Sequence, residues 1–307
     1  PVDFGYGGSG TNEGKINRGG GALYLEVAGE ISLEGSILSN GGYQKHSGGG
    51  SGGSIWISAN VLTGSGTISA NGSNGGTGSG AAGGGGGRVA VYYNDASTFN
   101  LDKITAMGGT GYTGYVQNYN PIDGGAGTVY LEDKSLPKDQ AIMRVDNGGN
   151  TGAVGYTLIP KEALTQGQWL VNNGNNNSVI RLDGDYSTKD SVLNADGVTL
   201  ELIGSYNFTA INLRNGAKII TSIAEDAESP KLNFKLDNLS IDASSSIDIS
   251  DKGLLADGNG EYYGGSYGGY GGIVIASNTP NPVFGDLYMP VDFGYGGSGT
   301  NEGKINR

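Results

Sequence analysis

The chain of 307 residues has no cysteine and a single histidine, His46. Without thiols there is no disulfide, no thiolate nucleophile and no cysteine-ligated zinc, and the redox compartment stays open. One imidazole leaves no second to share a metal. His46 lies in "GGYQKHSGGGSGG" and reads as an exposed loop residue. Prolines number only 8 and no strict Gly-X-Y period runs through the chain, so its 61 glycines do not make a collagen. Basic residues are scarce: 18 lysines and arginines face 30 carboxylates, a formal net charge of −12. That balance argues against a nucleic-acid partner, whose phosphates demand Lys and Arg. It suits a soluble surface that repels its own copies. No membrane span or signal peptide is read, although an internal piece of a larger protein would not carry its own leader.

What the chain does contain is repetition. Five segments begin with glycine and continue as alternating apolar strands: "GGALYLEV" at Gly20, "GGSIWISA" at Gly52, "GGRVAVYY" at Gly86, "GAGTVYLED" at Gly125 and "GGIVIASN" at Gly271. A second short strand follows in "GSILSNGG" at Gly35, "GTISANGS" at Gly66, "DKITAMGG" at Asp102 and "AIMRVDNGG" at Ala141. Glycine-rich excursions separate these pairs. Strand starts at Ala22, Ser54, Arg88 and Thr128 lie 32, 34 and 40 residues apart, as stacked coils with loops of variable length would. Alternation places Leu23, Leu25, Ile55, Ile57, Val89, Val91, Val129, Leu131, Ile273 and Ile275 on the inward face.

The repetition also operates at a larger scale. "PVDFGYGGSGTNEGKINR" occupies residues 1–18 and returns letter for letter at 290–307. After "GGIVIASN" the expected second strand is "DLYMPVDFGYGGSG", which runs into the duplicated stretch, and the next expected strand is "ALYLEV" at Ala22. A tag or linker would not complete a half-finished repeat, so the reading is a tandem array with the preceding and following copies as partners.

Residues 134–252 differ, holding 10 of the 61 glycines. Strands continue in "SVIRLDG", "VTLELIGS" and "YNFTAINLRNGAKIITSI", and the best helical candidate, "PKEALTQGQWL" at Pro160, allows one short turn. The expected fold is all-β: a right-handed parallel β-helix, or β-solenoid, with the glycine excursions forming a side layer. They would do so as extended three-residue-per-turn chains close enough to hydrogen-bond to one another. Its regions are glycine-rich coils over residues 1–133, glycine-poor coils over 134–252 and glycine-rich coils over 253–307 running into the next repeat. A β-sandwich over residues 134–252 is the alternative.

The pattern of "GGSIWI", "GSGTISANG" and "GGGGGRVAV", with "VDNGGNTG", "INLRNGAKI" and "LSIDASSSIDISDKG", resembles the glycine-rich tandem repeats of giant bacterial surface proteins, and loosely the filamentous-haemagglutinin-type adhesins. The resemblance implies a right-handed parallel β-helix, an extracellular or cell-surface location, and a structural or adhesive role. It implies no ligand.

Chemistry-bearing constellations are few. The densest charged cluster is Arg181, Asp183, Asp185, Lys189 and Asp190, which could serve a polysaccharide-active enzyme but also suits a turn. Asp183 and Asp185, and Asp257, Asn259 and Glu261, place oxygens at alternate positions as calcium loops do. Both stretches lack the glycine an EF-hand needs at its sixth position, where Thr188 and Tyr262 stand. Tyr262, Tyr263, Tyr267 and Tyr270 offer a surface for glycans or lateral self-association, or simple packing. The resulting expectation is a non-enzymatic structural repeat of a long fibre, with an adhesin module as the alternative and calcium as the one conceivable cofactor.

Overall fold

A computed structural model describes residues 3–10, 17–77, 80–112, 123–150, 155–164, 167–172, 178–255, 264–273 and 282–297. Strands are numbered in chain order. The main sheet has nine: β1 (Ala22–Ser32), β3 (Ser54–Thr63), β5 (Arg88–Tyr93), β7 (Thr128–Asp133), β8 (Ile142–Arg144), β10 (Trp169–Val171), β12 (Val192–Asp196), β15 (Ala210–Arg214) and β18 (Asn238–Ile241), in that spatial order. A three-stranded sheet joins β2 (Ser36–Leu38), β4 (Thr67–Ser69) and β6 (Ile104–Thr105). A five-stranded sheet runs β19 (Ser246–Ile247), β16 (Lys218–Ile220), β13 (Thr199–Glu201), β11 (Val179–Asp183) and β9 (Tyr156–Pro160). β14 (Ser205–Asn207) and β17 (Asn233–Lys235) form a pair. Among the described residues no α-helix occurs; the candidate after Pro160 is a single 3₁₀ turn, Lys161–Ala163. The chain divides into two compact units, the first comprising Pro1–Leu200, Asn207–Lys218 and Lys235–Ser246, the second Glu201–Tyr206, Ile219–Phe234 and Ile247–Arg307.

The first unit holds the whole nine-stranded sheet. Seven of its eight strand pairs are parallel, with one register shift in the β1–β3 pair between Val27 and Glu30. The exception is β7 with β8, which pair antiparallel through Val129–Arg144, Tyr130–Met143 and Leu131–Ile142. The second strand read in "AIMRVDNGG" joins the main sheet as β8 and not the sheet of β2, β4 and β6. Its connection to β7 is a short one, residues 134–141 with a 3₁₀ turn at Lys138–Gln140. A parallel neighbour needs a long crossover, whereas a short connection returns the chain antiparallel.

Two rows of side chains can be followed across all nine strands. One runs Leu25, Ile57, Val91, Leu131, Ile142, Trp169, Asn194, Asn212, Ser240; the other, on the opposite face, runs Tyr24, Trp56, Ala90, Tyr130, Met143, Leu170, Ala195, Leu213, Ile241. In the first row Ile57, Val91 and Leu131 are buried, and past β7 Ile142 is exposed, Trp169 and Asn212 are half-buried and the polar Asn194 is buried. In the second, Tyr24 is exposed, Trp56 and Tyr130 are half-buried and the small Ala90 is buried, while Met143, Leu170, Ala195 and Leu213 are all buried. The apolar core therefore lies on one face of the sheet up to β7 and on the other face from β8 onward. Strand direction and buried face reverse at the same step.

The first core stacks Ile55, Ile57, Val89, Val91, Val129 and Leu131 against Ile68 and Ile104 of the three-stranded sheet, with Leu23 and Leu25 partly buried at its margin. Each fully buried aliphatic side chain contributes about 1.5–3 kcal/mol of transfer free energy. The second core is built on Leu170, Leu193, Ala195, Ile211 and Leu213. Of the remaining expected core positions, Ile273 is half-buried outside any strand and Ile275 lies outside the described residues. "DLYMP" is not a strand: Tyr288 and Met289 donate backbone N–H bonds to Asp286 Oδ1, at 2.7 and 2.8 Å, and the resulting turn leaves Leu287 and Tyr288 exposed.

The glycine excursions bond to one another through their backbones. Gly41 N–H donates to Asn71 O at 2.8 Å, Gly52 N–H to Gly85 O at 2.9 Å, Ser73 N–H to Gly50 O at 2.9 Å and Gly109 N–H to Gly84 O at 2.8 Å. No described glycine of these segments has a positive φ. A Cβ at Gly84 or Gly87 would overlap the carbonyl oxygen of Gly50 or Gly53, and one at Gly83 or Gly86 that of Gly109 or Ala106. At Gly85 the nearest atom stands 3.8 Å away. Contacts here recur every third residue, at Gly83 and Gly86 on one side and at Gly84 and Gly87 on the other, so only glycine fits at these four positions. Ordering glycine is costly in entropy, and these shared amide bonds offset the loss.

Candidate interaction surfaces

On the solvent side of the first strands, Tyr24, Trp56, Tyr92 and Tyr130 form an aromatic row. Tyr24 and Trp56 are in register, with ring centroids 4.3 Å apart and planes inclined by 1°. Trp56–Tyr92 and Tyr92–Tyr130 follow at 5.4 and 5.5 Å, tilted by 40° and 54°. The Tyr24 hydroxyl donates to Glu26 Oε2 at 2.9 Å, and the Tyr130 hydroxyl to Glu132 Oε2 at 2.6 Å. The bond to Glu26 raises the Tyr24 pKa; burial chiefly, then the bond to Glu132, raises that of Tyr130. Pairs of this kind contribute about 0.5–1.5 kcal/mol beyond their burial. The row was not singled out in the sequence, although "LYLE", "SIWI" and "VYLE" each carry an aromatic between the two inward aliphatics.

Where the first core ends, Arg144 on β8 turns toward β6. Its guanidinium pairs with Asp102 Oδ1 at 3.0 Å, donates to Leu101 O at 2.9 Å and bonds to Ile104 O. Burial pushes its pKa down, against the opposing pull of Asp102 and Asp146. Because β6 is the last strand of its sheet, its carbonyl edge would otherwise lack a donor. A pocket of about 220 Å³ lies beside this cap, lined by Met107, Val129, Arg144 and Asp146 among others.

The sequence-predicted cluster disperses. Arg181 lies over the Tyr156 ring at 4.1 Å, Lys189 pairs with Asp237 at 2.6 Å, and Asp190 pairs with Lys161 at 2.9 Å. Asp185 accepts from Ser187 N–H and Oγ, at 2.8 and 2.9 Å, and these bonds lower its pKa. The carboxylates thus act as turn and ion-pair acceptors. Asp183 is exposed at the end of β11. Among the described residues no group of three His, Cys, Asp or Glu side chains could hold a metal. His46 has φ 67 and donates its backbone N–H to Thr77 O at 3.1 Å, within the glycine excursions. Asp257, Asn259, Glu261, Tyr262 and Tyr263 lie outside the described residues. Tyr267 packs edge-on against Phe284, centroids 5.0 Å apart, whereas Tyr270 is exposed.

With that geometry in hand, comparison finds no matching family model, no matching curated protein and no matching solved structure. Among the described residues no helix is long and apolar enough to cross a membrane.

Proposed function

We propose that the chain is a structural repeat module of a long secreted or cell-surface fibre, wound as a right-handed parallel β-solenoid with the glycine segments as a bonded side layer. The observation that carries this reading is the unchanged return of residues 1–18 at 290–307 in a chain whose strands stack in parallel register. The step from β7 to β8 is compatible with it. Reversing strand direction and buried face together leaves the hand of the winding unchanged, so right-handed crossovers run through the step. Among the described residues, the terminal strands β1 and β18 each have a sheet edge that pairs with no further strand. An open edge invites another strand, and in an array neighbouring units shield such edges.

An adhesin that binds glycans on the same scaffold is the second reading, favoured by the exposed aromatics. Sugar stacking needs a free ring face, and Trp56 has Tyr24 stacked on it at 4.3 Å and Tyr92 tilted against it at 5.4 Å. That arrangement favours the structural reading.

The test is a protein of two units sharing one copy of the 18-residue stretch. Solution scattering should give a long dimension that grows by roughly 50 Å over the single unit, from about ten coils rising about 4.8 Å each, at constant cross-section. Two bodies at variable separation would contradict the fibre.

A further inference from the structure

The duplicated stretch is described in both copies over Asp3–Gly8 and Asp292–Gly297, and the two copies have different partners. In the first copy, Gly5 N–H donates to Gly20 O at 2.9 Å, Tyr6 N–H to Ser51 Oγ at 2.8 Å, and Tyr6 O and Gly8 O accept from Ser51 and Asn17 N–H, both at 2.9 Å. In the second copy, Gly294 O accepts from Leu254 N–H at 2.8 Å and Gly296 N–H donates to Leu254 O at 2.7 Å. The equivalent groups, Gly5 O and Gly7 N–H, are used in none of the first copy's described bonds. The two sets use different groups of the same stretch, with Gly19 packed beside the Gly5 carbonyl.

Side chains divide in the same way. Asp292 pairs with Lys231 at 3.3 Å, the Phe293 ring lies 5.6 Å from Lys231 Nζ, and Tyr295 meets Phe284 edge-on at 5.3 Å. Their counterparts in the first copy point into solvent: Phe4 is 76% and Tyr6 89% exposed, against 45% for Tyr295. A Cβ at Gly5 would overlap the Gly52 carbonyl, whereas one at Gly294 meets nothing within 4 Å. The glycine at 294 is therefore not required by its own described surroundings.

We infer that Asp3–Gly8 is a two-sided junction, able to keep its bonds to Gly20 and Ser51 while docking, in a second copy of this chain, onto the surface formed by Leu254, Lys231 and Phe284. The copy at 292–297 occupies that surface in cis and caps it. This rests on the tandem reading and adds to it a specific, reversible head-to-tail contact. A tethered cap competes at an effective concentration on the order of millimolar, so the intact chain binds an external copy weakly.

The test uses a labelled synthetic peptide, Pro1–Gly10, and the full 307-residue chain. Gly296→Pro removes the donor to Leu254 and releases the cap, so this variant should bind the peptide at least about tenfold more tightly than the unaltered chain. The same peptide carrying Gly7→Pro should not bind. Equal binding by both chains, or by both peptides, would overturn the junction. Should Gly296→Pro disturb folding, the Lys231→Asp chain should prefer an Asp3→Lys peptide over the unaltered one, and absence of that preference would equally overturn it. If the peptide fails while the two-unit protein still lengthens as one rod, the junction falls and the tandem reading stands.

Discussion

Among the described residues between 17 and 133, the glycine segments between strands bond directly to one another through their backbones. Among the described residues between 134 and 252, the same sheet is tied by turns whose order comes from side chains. There, Asn212 Nδ2 donates to Asn194 Oδ1 at 2.7 Å, Arg214 pairs with Asp196 at 2.7 Å beneath a cation–π contact to Trp169, and Asn215 Nδ2 donates to Asp196 Oδ1 at 2.8 Å. Gly197 and Gly216 turn with φ of +67 and +81. The first region excludes side chains to gain backbone bonds; the second uses them to replace such bonds. Between the two, the sheet exchanges its buried face. One hydrogen-bonded sheet can thus serve two cores, provided a short reversal separates them.

The largest expected effects come from charges placed in either core. Ile57→Asp and Leu213→Asp should each destabilise by about 4 kcal/mol, because an unpaired carboxylate enters an apolar stack. Trp56→Asp, in the same row as Leu213 but on the solvent side of its own region, should cost only about 1–2 kcal/mol of ring packing. Thermal or denaturant unfolding reads all three. A Trp56 variant as damaging as Leu213→Asp would erase the distinction between the regions.

Next in size is the glycine layer. Gly84→Ala should cost about 3 kcal/mol through overlap with the Gly50 carbonyl, and Gly85→Ala should stay within about 0.5 kcal/mol. Equal effects would mean that the three-residue contact pattern does not govern packing. At the boundary, Arg144→Met should cost about 2 kcal/mol, since the Ile104 carbonyl loses its donor while the Leu101 carbonyl keeps only the Ile104 amide.

These positions differ in how far the sequence reveals them. The strand starts at Ala22, Ser54, Arg88 and Thr128 are legible because paired glycines precede regular alternation of aliphatic and other residues. The inward positions Ile55, Ile57, Val89 and Val91 follow from that alternation. The exchange of faces is not legible, because Ile142, Met143 and Arg144 give no apolar period in three residues. Met143 is buried by pairing with Leu170 on its neighbour, which only the register discloses. "DLYMP" misleads in the opposite direction: its apolar letters suggest a strand, but Asp286 captures two amides and turns the chain. The dispersal of Arg181, Lys189 and Asp190 onto Tyr156, Asp237 and Lys161 depends on distant partners that no local spacing encodes.

The smallest effect is confined to the side-chain-tied region. Asp242 accepts from Asn215 N–H at 2.7 Å and Ser244 N–H at 2.9 Å, and its pKa lies well below the usual carboxylate range, chiefly through the Asn215 bond. A depressed carboxylate supports the fold above its unfolded pKa of about 3.9, and the support is lost as pH falls toward the folded value. Protection of the Asn215 and Ser244 amides from hydrogen exchange should therefore decline below about pH 4, and Asp242→Asn should abolish that dependence. An unchanged dependence in the variant would move the effect to another group.

The exchange of buried faces has one direct test, helped by the absence of native cysteine. Single cysteines at positions 57 and 212 probe one row of the sheet, and those at 56 and 213 probe the other. Under native conditions, maleimide should label Trp56→Cys and Asn212→Cys readily and leave Ile57→Cys and Leu213→Cys protected. Protection that stays in one row through both regions, at 57 and 212 or at 56 and 213, would contradict the exchange.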